Sequence, residues 1–188
     1  GDPPADAVQR SALAIAEAVE GHGARFPPGL EPAYHDRHHQ AEATLAMGWL
    51  AGAARRLGLL TAHQAAIAVA AMAAHDLLHD GRIHEERGVL ERRSADTAAA
   101  IAAAQGLPDE DIAALRRIVL ATTWPWEACE ATDLAAHLAR EADLFGSSLP
   151  ALGPRRSRLL AREFADAGQD SADSVASPVA DAGSRAVG

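Results

Sequence analysis

The stretch TAHQAAIAVAAMAAHDLLHDG, residues 61–81, predicts a buried helix with polar residues near its carboxyl end. Its first four residues have the Thr-x-x-Gln spacing of a capping box, which is typical of a helix start. The run that follows is apolar on all sides, and a helix of this kind is surrounded by other elements. We expect it to extend to about His79. The residues His75 and Asp76 therefore emerge from a buried element, where charged groups need ionic partners or a metal.

The composition favours an all-helical protein. The chain has 188 residues, which suggests one domain, and 48% of them are hydrophobic while only 4% are aromatic. Alanine is abundant, and it has the highest helix propensity of all residues. We predict an all-α fold, a single-domain bundle of about six to eight helices.

Helical periodicity and Gly or Pro breakers divide the chain into segments. No strand pattern and no internal repeat is evident. The predicted helices span 5–20, 34–57, 61–79, 88–104, a segment from 109 to near Pro125, 131–145, and a last one from Pro154 to 168. We divide the chain into an N-terminal helix and loop (1–33), a metal-binding core (34–146), a C-terminal helix (147–168) and a disordered tail rich in Ser, Ala, Asp and Gly (169–188).

Charge and cysteine content restrict the partners. The formal charge is −9 and every basic residue is arginine, so binding to long nucleic acid, which needs a basic face, is not expected. A small anionic substrate is compatible, because local arginines or metal ions reverse the field at one site. The single Cys129 excludes an internal disulfide. The chain contains no run of about 18 apolar residues, so no membrane span is predicted, and no signal pattern is evident. We therefore expect a cytoplasmic protein. The sequence leaves open whether it is a monomer or a homodimer.

Histidines cluster in YHDRHHQAEAT, residues 34–44. His35 and His39 are four residues apart, so on a helix they share a face. His38 points about 100° away from His39. This spacing indicates a metal site only weakly, and the alternative is a polar turn at the surface.

Further candidate ligands come from two other helices. His75 and Asp76 point about 100° apart on a helix, so one ion must sit between them; the alternative is a helix end, where histidine and Gly81 are both common. Asp143 lies in EADLFG, residues 141–146, among apolar neighbours. Two imidazoles and two carboxylates from His39, His75, Asp76 and Asp143 suit Zn, Mn, Fe, Ni or Mg, without selecting among them.

The order His…His-Asp…Asp on separate helices resembles the HD superfamily of metal-dependent phosphohydrolases. Five segments resemble elements of the cyclic nucleotide phosphodiesterase branch and occur in the same order. In that branch the elements are Tyr-His-Asn-x-x-His, His-Asp-x-x-His-Pro-Gly, a helix that bears a glutamate, Ile-x-Leu-Ala-Thr-Asp, and the segment with the last metal aspartate. The corresponding segments here are YHDRHH (34–39), HDLLHDG (75–81), VLERRSA (89–95), IVLATT (118–123) and EADLFG (141–146).

This resemblance implies a metal-dependent phosphoric ester hydrolase with one or two divalent ions (Mn, Zn, Mg, Ni or Fe). The first ion would be held by His39, His75, Asp76 and Asp143, with Asp76 bridging to a second ion completed largely by water. His35 would be the general acid that protonates the leaving oxygen. His79 and Glu91 would orient water at the metals. The implied substrate is a small phosphate ester, a nucleotide or phosphodiester cleaved by metal-activated water.

The sequence departs from the phosphodiesterase branch at several positions. Asp36 replaces an asparagine, Thr123 replaces an aspartate, and Arg92, Arg93 and Ser94 stand where that branch has a histidine pair. The Glu-Arg-Arg-Ser-Ala run looks more like small bacterial HD proteins. No counterpart of the purine-binding glutamine and aromatic clamp is evident. A cyclic nucleotide is therefore a weaker expectation than phosphoester hydrolysis itself.

Arg92, Arg93 and Trp124 are candidates for substrate binding. Guanidinium groups fit phosphate oxygens bidentately, although a solvated helix face is the favoured interpretation for both arginines. The aromatic ring of Trp124 can stack on a base, whereas the Trp124-Pro125-Trp126 run more often closes a core.

Other polar runs are expected to be ordinary surface. The loop residues His84, Glu85 and Glu86 can supply a further ligand or gate the pocket, but a polar connection is favoured. The basic residues Arg155, Arg156 and Arg158 are predicted to be solvated.

Two other functions are open at this point. A diiron oxygenase of the same fold would carry further histidines between the His-Asp pair and Asp143, and residues 88–130 contain none. A non-catalytic ligand-binding module would have a broken ligand set, and here the set is complete.

Overall fold

The computed structural model describes residues 3–126 and 132–175. Seven helices and no strand are found in these two ranges, which confirms the predicted all-α, single-domain bundle. The helices are α1 (Pro3–Gly23), α2 (Arg37–Arg56), α3 (Ala62–Ala74), α4 (Val89–Ala104), α5 (Asp109–Leu120), α6 (Leu134–Ser148) and α7 (Gly153–Val175).

Helix α3 occupies the centre of the bundle and packs against α1, α2, α4, α5 and α6. The side chains of Ala68, Ala71 and Ala74 have no exposed surface, and their small size lets neighbouring helices approach closely. The predicted capping box is confirmed, because the Thr61 hydroxyl accepts the Gln64 N–H at 3.1 Å and the Gln64 side chain accepts the Thr61 N–H at 2.9 Å. The apolar run therefore forms the core, as its pattern predicted.

Two helix ends near the candidate ligands differ from the prediction. Helix α3 ends at Ala74 rather than near His79, so Asp76 and His79 lie in the turn that follows. Helix α2 begins at Arg37 because Asp36 caps it, its carboxylate accepting the N–H of His39 at 2.8 Å. His35 consequently precedes the helix, and the prediction that His35 and His39 share a helical face is wrong.

The two termini extend further than the periodicity indicated. Helix α1 runs from Pro3 to Gly23, and α7 continues to Val175, seven residues past the predicted end at residue 168. Residues 176–188 of the expected tail and Cys129 lie outside the described ranges. None of the described helices is long and apolar enough to cross a membrane.

Candidate metal centre and adjoining cavity

The fold brings together the four predicted metal ligands from three separate helices. His39 lies in the first turn of α2, His75 and Asp76 follow the end of α3, and Asp143 lies on α6. Gln40 ties the first two elements together, because its side-chain amide donates to the carbonyl of Ala73 at 2.9 Å.

The distances among these side chains fit a single ion. The Nε2 atoms of His39 and His75 are 3.4 Å apart. Oδ2 of Asp76 lies 3.0 Å from the His75 nitrogen and 3.5 Å from that of His39. Oδ1 of Asp143 lies 3.1 Å from His39 and 3.5 Å from His75. Ligand atoms about 2.0–2.2 Å from a shared ion stand about 3.0–3.5 Å from one another, so this cluster can hold a metal ion.

The orientation of His75 is set by its backbone surroundings. Its Nδ1 lies 2.8 Å from the carbonyl oxygen of Met72, and because a carbonyl only accepts, Nδ1 carries the hydrogen. Nε2 is thereby left to face His39 and the two carboxylates. A hydrogen bond of this kind on the far nitrogen is the usual partner of a metal-binding histidine.

The cluster is buried and its charges are mutually compensated. Burial alone would lower the pKa of His75, but the carboxylates of Asp76 and Asp143 raise it well above the usual value. Burial would raise the pKa of Asp143, yet hydrogen bonds from His39 and His75 bring it down to about 2. Without an ion the two carboxylates are therefore ionised and the imidazoles hold the protons, which a metal displaces on binding.

A second polar cluster adjoins the first, and its central member was not singled out from the sequence. Glu163 of α7 places Oε1 2.5 Å from Nδ1 of His35. Its other oxygen accepts the backbone N–H groups of Tyr34 at 2.7 Å and His35 at 3.0 Å. Burial would raise the pKa of Glu163, but the hydrogen bond and charge of His35 lower it to about 2. In the sequence, Glu163 is a glutamate on the inward face of an amphipathic helix. That pattern alone does not distinguish a buried carboxylate from a solvated one.

His79 stacks on His35, with ring centroids 3.8 Å apart and planes inclined by 22°. Burial and the adjacent His35 lower the pKa of His79 to about 4. One nitrogen or oxygen atom from each of His35, His79 and Glu163 lies within 4.8 Å of the others. Nδ1 of His79, however, already accepts the N–H of Gly81 at 3.2 Å, which favours a hydrogen-bonded His35–Glu163 pair.

A cavity of about 400 Å³ opens beside this pair. Glu91 of α4, a predicted catalytic residue, lines it together with His35 and His79. Burial, followed by the charge of Asp76, raises the pKa of Glu91. The cavity is therefore bordered by all three residues that were predicted to act in catalysis.

The predicted substrate-binding residues are distributed unevenly around this cavity. Trp124 lines it and is 68% exposed, so the Trp-Pro-Trp run does not close the core. Arg92 does not line it; its guanidinium pairs with Glu86 and donates to the carbonyl of Arg87. Arg93 lies on the exposed face of α4. Several other lining residues were not predicted, among them Arg82, Arg87 and, on α7, Phe164.

Among the other polar runs, one prediction is wrong. Arg156 is not solvated: it is 7% exposed, pairs with Glu42 and lies over the ring of Tyr34. His84 bonds the carboxylate of Asp80 in the polar connection before α4.

A larger cavity, of about 730 Å³, lies elsewhere, between α3, α5 and α6. It is lined by His63 and Asp111, whose side chains are hydrogen-bonded at 2.8 Å, and by Arg117. None of the metal-cluster residues borders it. Of these two cavities, only the one of about 400 Å³ adjoins a group of titratable side chains with strongly shifted pKa values, so we treat it as the candidate site.

The fold and the site together define an all-α protein with a buried His/Asp cluster that can hold a metal ion. Comparison with protein-family models, curated proteins and solved structures finds no match for this chain. The resemblance of its motifs to the HD superfamily stays a prediction, and the case for a function rests on the geometry of the site.

Proposed function

We propose that the protein is a metal-dependent phosphohydrolase that cleaves a small phosphate ester, a nucleotide or phosphodiester. The observation that carries the proposal is the His35–Glu163 pair, which lies between the four-ligand cluster and the 400 Å³ cavity. The ring of His35 is 5.7 Å from that of His39. A proton donor thus borders both the cluster and the space available to a substrate.

The ligand set supports a borderline or hard divalent cation. His39, His75, Asp76 and Asp143 would hold it, and two nitrogens with two oxygens suit Mn, Zn, Mg, Ni or Fe. When bound, such an ion supplies Lewis acidity that lowers the pKa of water and neutralises charge on phosphoryl oxygens. A small cavity of about 20 Å³ touches Asp76, His35 and His79, and that volume accommodates one water molecule.

His35 would act as the general acid. Its Nδ1 faces Glu163, which leaves Nε2 to deliver a proton to the leaving oxygen. Glu163 fixes the orientation of the ring, because its carboxylate stays ionised above a pKa of about 2 and accepts from Nδ1. Glu163 is therefore a positioning residue for His35.

His79 and Glu91 would organise the remaining polar groups. His79 holds one face of the His35 ring by stacking and stays neutral at physiological pH, since its pKa is about 4. Glu91 has a raised pKa, so it can accept a proton from water in the cavity or return one to it.

The cavity supports a substrate of modest size. A volume of about 400 Å³ lies in the range of small-ligand sites. Trp124 offers a ring on which a base can stack, and Arg87 borders the same space. Arg92 and Arg93 contribute to phosphate binding only if the substrate extends beyond this cavity.

The test combines metal analysis with turnover. Wild-type protein purified without added metal is expected to retain one or two divalent ions per chain and to hydrolyse members of a phosphate-ester panel. Asp76→Ala and Asp143→Ala should lose both metal and turnover, whereas His35→Ala should keep the metal and lose rate. Full activity of metal-free Asp76→Ala protein would contradict the proposal.

A diiron oxygenase is the second candidate, favoured by one observation. His35, His79 and Glu163 form a second group in which one nitrogen or oxygen atom from each residue lies within 4.8 Å of the others, although residues 88–130 contain no histidine. Anaerobic purification followed by iron analysis separates the two functions. Two irons per chain with substrate-dependent oxygen consumption would replace the hydrolase by the oxygenase, and absence of any retained metal after reconstitution would favour a non-catalytic module.

A further inference from the structure

Helix α2 presents an apolar face that is largely exposed in the part of the chain that the structure describes. Leu45 is 57% exposed and Trp49 is 61% exposed, one turn apart on this face. The Trp49 ring makes an edge contact with that of Phe145 on α6, with centroids 6.2 Å apart, and this contact leaves most of Trp49 exposed. Neighbouring large apolar side chains exposed in this way are typical of protein–protein contacts.

Two glycines lie beside Leu45 and Trp49, both displaced to the same side of Trp49 around the helix. Gly48 and Gly52 are four residues apart, and both precede the end of α2 at Arg56. A side chain at Gly48 would meet nothing within 4 Å, and one at Gly52 would make only an ordinary contact with Arg56. Glycine disfavours a helix, and packing within the chain does not require it at either position.

We propose that this face is the interface of a homodimer, in which α2 packs antiparallel against α2 of a second copy. The two-fold axis crosses the helix near the turn between Gly48 and Gly52. The glycines let the two backbones approach, and the space above them receives Trp49 and Leu45 of the other copy. The face carries two large side chains and two glycines, which have no side chain. The large side chains of one copy therefore fit over the glycines of the other, as a two-fold interface requires.

Charge decides the antiparallel direction. Glu42 lies on the amino-terminal half of the face and is 42% exposed although it pairs with Arg156. Arg55 and Arg56 lie at the carboxyl end, both exposed, and neither makes an ion pair among the described residues. An antiparallel pair places Arg56 of one copy within about one turn of Glu42 of the other. A parallel pair would place the arginines together.

Sedimentation velocity of the full chain over a range from micromolar to near-millimolar concentration tests the proposal. We expect a monomer–dimer equilibrium in the wild type. Gly48→Gln and Trp49→Gln should each raise the dissociation constant at least about tenfold. Leu13→Gln is the matched control, because Leu13 is 60% exposed on α1, and it should leave the equilibrium unchanged.

Thermal melting at low concentration separates loss of the interface from loss of the fold. Gly48→Gln replaces an exposed helical glycine by a better helix former, so its monomer should melt about 2–4 °C higher while its dimer weakens. A wild type that is monomeric at the highest concentration, or a dimer that Gly48→Gln and Trp49→Gln leave intact, would overturn the proposal.

Cross-linking tests whether α2 lies at the interface. In a Cys129→Ser background, Gly52→Cys lies close to the two-fold axis and should form an intermolecular disulfide on mild oxidation, while Leu13→Cys should not. Equal cross-linking of both variants would also overturn the proposal. His39 lies on the buried side of α2, so hydrolase activity is an independent measurement whose failure does not bear on the dimer.

Discussion

Glu163 binds His35 across 128 positions of the sequence, through a contact of 2.5 Å between Oε1 and Nδ1 and two hydrogen bonds from the backbone to Oε2. The pair links α7 to the loop before α2. Because Glu163 is 4% exposed, its charge has little water to screen it. The contact places a buried carboxylate behind the proposed general acid.

Replacing Glu163 by glutamine should lower kcat without removing the metal. The amide keeps the size of the side chain but replaces the carboxylate that accepts from Nδ1 of His35, so we expect kcat to fall by about 10²-fold with little change in KM. Steady-state kinetics with metal analysis of the same samples measures this.

The matched control for that variant is Asp166→Asn, an exposed carboxylate on the same helix that pairs with Arg162. It should leave kcat unchanged. An equal loss in both variants would mean that α7 acts through its overall stability and that Glu163 does not position His35.

Metal binding should release protons. In the absence of an ion the carboxylates of Asp76 and Asp143 raise the pKa of His39 and His75 against the effect of burial. A metal needs both imidazoles neutral, so binding near pH 7 should release about one to two protons per ion, and affinity should fall on acidification. Calorimetry of metal binding in buffers with different ionisation enthalpies counts these protons. Binding heats that are independent of the buffer would contradict the expected protonation.

His79 should make the fold sensitive to moderate acid. Burial and the nearby His35 lower its pKa from 6.5 to about 4, so between these values the unfolded chain binds a proton that the folded chain does not. The stabilising contribution is complete above about pH 6.5 and is lost as the pH falls towards 4.

Denaturant unfolding at pH 7 and pH 4 compares the wild type with His79→Phe, which retains a ring for stacking. The wild type should lose on the order of 3 kcal/mol more than the variant over this interval. Equal losses would show that His79 titrates normally in the folded protein.

The alanines of α3 should not tolerate larger side chains. Ala68 has no exposed surface, so Ala68→Leu inserts three carbons into a filled core and should cost about 1–3 kcal/mol of unfolding free energy. Ala66 lies on the exposed side of the same helix, and Ala66→Leu should change stability by less than about 0.5 kcal/mol. Thermal or denaturant unfolding of the two variants checks the difference, and equal destabilisation would contradict a close-packed centre.

Trp124 should contribute to substrate binding rather than to chemistry. Its ring lines the cavity and is largely exposed, so Trp124→Ala should raise KM about tenfold through lost stacking and leave kcat nearly unchanged. Kinetics with a nucleotide and with a phosphate ester that lacks an aromatic ring distinguishes stacking from a general effect. Equal increases in KM for both substrates would contradict stacking.

The sequence alone determined the class of fold and which four residues form the His/Asp cluster. The all-apolar run at residues 65–74 and the TAHQ capping box required a central helix, since only a buried helix is apolar all round. The order of His39, His75, Asp76 and Asp143 indicated a metal cluster, because these residue types are rarely buried without partners.

Tertiary structure decided how the site is completed. Asp36 caps α2, so the helix begins after His35. Helical periodicity alone does not show at which residue a cap starts the helix. Glu163 and Phe164 reach the cavity only through the packing of α7, and Arg156 is buried for the same reason. Periodicity along a chain identifies the face of a helix that is buried, but which distant side chain that face meets depends on how the helices pack.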